Sequence, residues 1–158
     1  MIEEGDVAPD VTLQMGDGSM LALSQFQRPL VLYFYPKDDT SGCTAEAKDF
    51  SELAAAFEME GTRLLGVSRN TPKEHGKFIE KHALRVPLAT DADGSVTDAF
   101  GVWIEKSMYG RKYMGIERAT FLIDDEGRVA KLWRKVSVPG HAQAVLAAAR
   151  ALKGLETP

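Results

Sequence analysis

Cysteine is almost missing from this chain of 158 residues: Cys43 is the only one. An internal disulfide is therefore impossible, and cysteine usage implies no oxidising compartment. A C-x-x-C pair is absent, which excludes a dithiol reductase. The position six residues after Cys43 is Asp49, not the arginine a cysteine phosphatase needs to cradle phosphate. Blocks of lysine or arginine are also missing, and the net charge is -4. That balance excludes sequence-independent nucleic-acid binding, which needs a basic face. The longest apolar run, Pro29 to Tyr35, covers about seven residues, against the ~18 that suggest a membrane span. The start, "MIEEGDVAPD", is acidic where a secretory signal would be basic. A cytoplasmic enzyme or binding domain without membrane or nucleic-acid contacts is the expectation.

Metal-ligand and nucleophile-elbow signatures are equally sparse. His75, His82 and His141 are scattered over predicted helices, where solvated or capping roles are expected in place of metal ligation. "DADG" lacks the remaining ligands of a calcium loop and reads as a turn. "GVSRN" has Asn70 where a nucleophile elbow needs its second glycine. No cofactor is expected.

What the sequence does contain is alternation of strands and helices. "RPLVLYFYP" reads as a buried strand closed by Pro36. From Thr44 to about Glu60 the apolar positions Ala47, Phe50, Ala54 and Phe57 recur at helical spacing, and "TRLLGVS" follows as a second buried strand. Two such strands joined by a helical crossover form a parallel pair. "NTPKEHGKFIEKHAL" predicts a helix capped by Asn70 or Thr71, "RVPLAT" a short strand, and "DADGSVTDAFG" a turn into a short helix. "IERATFLID" and "GRVAKLWRKV" predict a β-hairpin, with "GHAQAVLAAARALKG" an amphipathic helix after it. The order is βαβα, an irregular insertion, then ββα. It predicts one α/β domain over residues 1–158, with a central mixed sheet flanked by helices.

Cys43 falls where a buried strand has ended and a helix begins. Sites in α/β sheets gather at the carboxyl ends of strands, and a helix N-terminus favours thiolate over thiol. Four residues before Ala47, Cys43 points along the buried stripe of the helix. A small buried hydrophobe is the plainer reading of such a thiol. Its neighbours argue for chemistry: Thr40 offers a hydroxyl that can donate to sulfur and accept from a substrate, and Gly42 lets the backbone approach closely.

Pro36, Thr40 and Cys43 reproduce the P-x-x-x-T-x-x-C signature of peroxiredoxins, which the chain resembles over nearly its whole length. "YFYPKDDTSGCTAEA", "GVW", "MGIERATFLID" and "VPGHAQAVL" are most similar to the bacterioferritin comigratory protein class, also called peroxiredoxin Q. The resemblance implies a thioredoxin-like fold with helices on both faces of the sheet. It also implies a thiol-dependent peroxidase that reduces hydrogen peroxide and organic hydroperoxides through a cysteine sulfenic acid. On its residues Cys43 would be the reactive thiol, with Thr40 and Arg118 beside it. Pro36 and Gly42 would line the substrate pocket, and Glu46 would orient Arg118. Trp103 and Tyr109 are further candidates for the pocket mouth, against ordinary packing or surface positions. A free thiol ionises near pH 8.5, and lowering that to about 6 takes roughly 3.4 kcal/mol. A helix terminus supplies about 0.3–1 kcal/mol. An arginine at about 4 Å in an effective dielectric of ~20 supplies up to about 4 kcal/mol before desolvation, so the arginine is the larger influence.

Two departures from that pattern stand out. Lys48 occupies the place, five residues after the reactive cysteine, where many members of the class have a resolving cysteine, and Ser41 replaces a usual proline. With one cysteine the chain is expected to be a 1-Cys type. Its reductant would be an external thiol such as thioredoxin, glutaredoxin or a small thiol, and it would act as a monomer or weak homodimer. The competing expectation is a non-catalytic thioredoxin-fold redox sensor or chaperone-like binding module using the same thiol as a switch.

Overall fold

A computed structural model describes residues 1–156, and the side-chain surroundings of residues 1–152. In chain order the elements are β1 (Thr12–Gln14), β2 (Met20–Ala22), β3 (Leu30–Phe34), α1 (Ser41–Glu52), α2 (Ala54–Met59), β4 (Arg63–Ser68) and α3 (Pro72–His82). They continue with β5 (Leu88–Thr90), α4 (Ser95–Ala99), β6 (Trp103–Met108), β7 (Arg111–Ile116), β8 (Ala119–Ile123), β9 (Val129–Trp133) and α5 (His141–Glu156).

Seven strands form one mixed sheet in the order β2-β1-β5-β4-β3-β8-β9. The two central crossovers, through α1–α2 and through α3, make β3, β4 and β5 parallel, while β8 lies antiparallel to β3. Every residue of β3 is buried, as a strand covered on both faces requires. Its side chains alternate between two cores. Val31, Tyr33 and Tyr35 pack with Phe50 of α1, Phe57 of α2, Phe78 of α3 and Val145 of α5. Leu30, Leu32 and Phe34 pack on the opposite face with Val96 of α4, Phe100 and Phe121. Among the described residues helices thus cover both faces, α1, α2, α3 and α5 on one, and α4 with a 3-10 turn at Leu23–Gln25 on the other.

Three local features differ from the sequence reading. The predicted helix from Thr44 to Glu60 begins earlier, at Ser41, and breaks at Leu53, whose backbone leaves the helical range at φ -97°, ψ 3°. Phe50 and Phe57 lie on either side of this break, both fully buried, with ring centroids 6.0 Å apart. The insertion before Arg118 is not irregular. β6 and β7 form a two-stranded antiparallel hairpin outside the main sheet. Tyr109 and Gly110 turn it with φ of 52° and 79°, the left-handed pair that a tight hairpin turn demands. The short N-terminal hairpin of β1 and β2 adds two strands at one edge of the sheet.

The second predicted helix is well explained by its ends. Thr71 accepts a hydrogen bond from the Glu74 N–H while Glu74 accepts from the Thr71 N–H, with Pro72 in the first turn, a reciprocal cap. No helix among the described residues is long and apolar enough to cross a membrane.

Candidate active site

The main candidate site forms where β3 ends and α1 begins. Thr40 is the N-cap, with extended backbone at φ -85°, ψ 157°. The first intrahelical bond is donated by Thr44 to the Thr40 carbonyl at 2.8 Å. The N–H groups of Ser41, Gly42 and Cys43 thus belong to the unpaired first turn, where backbone donors and the helix dipole favour negative charge. Cys43 is 2% exposed and packs in the core cluster with Ala47 and Phe50. The inward direction expected from its spacing to Ala47 is what the structure shows.

Arg118 comes from the other side, 75 residues on in sequence. It precedes β8, whose first residue, Ala119, pairs with Phe34 at the end of β3. This register sets the guanidinium against the helix start. Its Nη2 donates to Cys43 Sγ at 3.4 Å, and its Nη1 donates to Glu46 Oε1 at 2.7 Å. A Cβ placed on Gly42 would stand 3.1 Å from the same Nη2, so the glycine leaves room for the arginine to lie across the helix N-terminus.

Glu46 is 1% exposed. Burial pushes its carboxyl up to about 7, although the Arg118 charge and hydrogen bond pull it the other way. Arg118 in turn is lowered by burial, but Glu46 and Cys43 outweigh this and hold it above its ordinary value. The second Glu46 oxygen, Oε2, and the hydroxyl of buried Tyr33 have no hydrogen-bond partner among the described residues. Burial raises the Tyr33 phenol far above its usual range, and Glu46 is the largest charge acting on it.

The structure brings Cys43, Arg118, Glu46 and Gly42 together. Thr40 sits at the same turn, but its hydroxyl is not bonded to sulfur as the sequence reading allowed. It donates to the Lys37 carbonyl at 3.0 Å, leaving its lone pairs to accept. Pro36 is half-buried and directly follows Tyr35 in the chain. Trp103 lies under Arg69, whose guanidinium carbon is 3.4 Å from the ring centroid, and Tyr109 at the hairpin tip is fully exposed.

The histidines need correction. His75 is neither solvated nor capping: it is 1% exposed, with Nδ1 2.7 Å from Asp38 Oδ2 and Nε2–H donating to the Ala89 carbonyl at 3.1 Å. Tyr35 donates its hydroxyl to the other Asp38 oxygen at 2.5 Å. Aspartate, histidine and tyrosine therefore moor the segment between Pro36 and Thr40 to the protein interior. His141, also buried, lies 2.8 Å from Thr120 Oγ1, and burial followed by Arg118 pushes its imidazole down to about 4. His82 meets Asp39 at 2.8 Å. Sequence spacing carried no sign of these partners, because all of them lie on other elements.

Comparison with known proteins agrees with the geometry. The AhpC/TSA family model matches residues 5–132. Peroxiredoxin Bcp of Xanthomonas campestris is 47% identical over 143 residues, covering 90% of this chain and 89% of that protein. Peroxiredoxin Bcp of Bacillus subtilis is 47% identical over 146 residues, covering 92% and 93%. Among solved structures, X. campestris bacterioferritin comigratory protein superposes with a TM-score of 0.86 at 44% identity, over 97% of this chain and 98% of that one. With its thioredoxin-like architecture and its single cysteine, the chain belongs to the AhpC/TSA family and is a thiol-dependent peroxidase, a peroxiredoxin of the 1-Cys type.

Proposed function

We propose that Cys43 is the sulfur that reduces the hydroperoxide, with Arg118 and Thr40 holding the two peroxide oxygens. The observation that carries this reading is the position of Arg118, which touches Cys43 Sγ and Glu46 at once across the first turn of α1. The thiolate attacks one oxygen of R–O–O–H in line; the S–O bond forms as the O–O bond breaks. Cys43 is oxidised to sulfenic acid, and the leaving alkoxide or hydroxide takes a proton to become alcohol or water. Arg118 Nη2 and the N–H groups of Gly42 and Cys43 donate to the oxygen on which charge builds. The Thr40 oxygen, its own proton already given to Lys37, accepts the peroxide O–H. Pro36 shields the sulfenic acid, and Glu46 orients Arg118.

Hydrogen peroxide and organic hydroperoxides are the substrates of this reading; the solved X. campestris relative comes from work on its alkyl peroxide reduction activity. An external thiol, whether thioredoxin, glutaredoxin or a small thiol, then attacks the sulfenic sulfur, releasing water and leaving a mixed disulfide. A second thiol restores Cys43. The peroxidase works as a single domain, monomeric or weakly dimeric, in the cytoplasm.

Reduced protein with dithiothreitol as donor should consume tert-butyl hydroperoxide over many turnovers. Cys43→Ser should stop this while the far-UV spectrum and melting temperature stay near wild type, because serine is nearly isosteric but does not form an anion at neutral pH. Turnover persisting in the serine variant would remove Cys43 from the reaction. A single oxidation without turnover in wild type would mark the thiol as a switch and not a catalyst.

A further inference from the structure

The β6–β7 hairpin brings one more charge to the thiol. Alternation along β6 places Ile104, Lys106 and Met108 on one face of the ribbon, and Lys106 stands opposite Tyr113 in the register. Two pairs nearer the base, and on the same face, Ile104 stands opposite Gly115. A Cβ on Gly115 would stand 3.2 Å from Lys106 Cδ and 3.4 Å from its Cε. The absent side chain is thus a bed for the lysine stem, which is half-buried. The base of the hairpin is clasped by the Glu117 N–H donating to the Val102 carbonyl at 2.7 Å. Arg118 is the next residue, so the hairpin base joins the chain directly at the site arginine. Burial first, and Arg118 second, lower the Lys106 ammonium below its ordinary value, while Cys43 and then Glu117 favour its charge. Its stem, lying over Gly115, runs towards the hairpin base, which Arg118 follows directly in the chain.

Charge accounting singles this lysine out. Arg118 is offset by Glu46, its partner at 2.7 Å, once that carboxyl ionises above about pH 7. Glu117 is committed to Arg134 through two bonds of 2.8 and 3.0 Å. Lys106 makes no ion pair within 4.0 Å among the described residues.

Building on the assignment of Cys43 as the reactive sulfur, we propose that Lys106 is a second cation of the thiol site. Held by the hairpin on its Gly115 bed, it keeps the field at Cys43 positive where Glu46 offsets Arg118. Lys106 acts through space on the thiolate and on whatever anion approaches it, so it is a positioning residue and not a catalytic one. An anionic thiol arriving to resolve the sulfenic acid is drawn in by the same field.

The test compares Lys106→Met and Lys106→Arg with wild type, alkylating the reduced protein with iodoacetate and with iodoacetamide at one pH. The ratio of the two rates cancels the fraction of thiolate and reports the local potential alone. Lys106→Met should lower the iodoacetate-to-iodoacetamide ratio on the order of threefold, the scale of one charge acting through partly solvated protein. Lys106→Arg should retain the wild-type ratio. Lys112→Met, on the opposite face of the ribbon opposite Ser107 and fully exposed, should also leave it unchanged. A Lys106→Met ratio equal to wild type would overturn the proposal even if peroxide turnover fell, since slower turnover alone would indicate a structural effect. If wild type failed to turn over peroxide, the functional reading would fall, while the ratio would still judge the lysine.

Discussion

Replacing Arg118 with alanine separates the two things its guanidinium does. At 3.4 Å from Cys43 Sγ, and with an effective dielectric of ~20, the gross attraction to a thiolate is about 5 kcal/mol. Desolvation of a side chain only 16% exposed takes back part of this. Opposite charges at such distances typically move ionisation by about 1–3 units. Loss of this attraction should therefore slow alkylation by iodoacetamide at pH 7 by up to roughly hundredfold. Peroxide should lose more, because in the proposed mechanism the same N–H groups also bond to its oxygens. A hydrogen bond involving a charged group contributes about 1.5–3 kcal/mol, a further factor of roughly ten to a hundred. At high pH the iodoacetamide rate should recover while the peroxide deficit remains. The variant should still fold: Glu46, already pushed up to about 7, takes a proton when the arginine goes, leaving no naked charge in the core. Single-turnover peroxide consumption and iodoacetamide alkylation, both followed across pH, measure the two effects. If both rates fall by one factor and recover together, Arg118 acts on the thiolate only, and its contact with the peroxide is refuted.

Gly42→Ala would place a methyl 3.1 Å from Arg118 Nη2. The arginine is pinned by Glu46 and Cys43, so peroxide reduction should slow by about two- to tenfold while the melting temperature holds or rises, alanine being the better helix former. An undiminished rate would show that the guanidinium has slack. Glu46→Gln should flatten part of the pH dependence of stability. The carboxyl holds its proton up to about pH 7 in the folded protein but only to about 4.5, its ordinary value, when unfolded. Below that lower value both states are protonated and nothing is lost. Between the two the unfolded chain alone releases its proton, and stability falls as pH rises, by about 3 kcal/mol above pH 7. Urea denaturation should show the glutamine variant gaining on wild type from pH 5 to 7 and level thereafter; parallel curves would mean that Arg118 keeps Glu46 ionised throughout.

Much of this site was legible in the linear sequence because its parts are close neighbours in the chain. Thr40, Gly42 and Cys43 could be read from their place where a strand ends and a helix begins, whereas Pro36 and Glu46 came from the family resemblance. Arg118 was legible only through its resemblance to a family strand, since a strand-start arginine has no local signature. What stayed hidden was set by tertiary pairing. His75 looks like a helix-surface residue until Asp38 and Tyr35 arrive from the β3 side of the site. The β6–β7 hairpin escaped notice because most of its residues are exposed on both faces, so the apolar alternation of a half-buried strand is absent. The early start of α1 was masked by Ser41 and Gly42, residues that read as turn but serve well in a first helical turn, where their N–H groups need no partner.

The register that pairs Phe34 with Ala119 has a consequence for the life of the newly made chain. Cys43 leaves the ribosome long before Arg118, with 75 residues between them. At translation rates of about 5–20 residues per second that gap lasts roughly 4–15 seconds. During it β3 and α1 have no β8 to lie against, and the sulfur is an ordinary thiol beside a bare helix end. On the role proposed for Arg118, the sulfur gains its reactivity towards peroxide only when the later strand docks. The half-made enzyme would then be spared its full reactivity, and a truncated product ending before residue 118 would meet peroxide only as slowly as an ordinary thiol does.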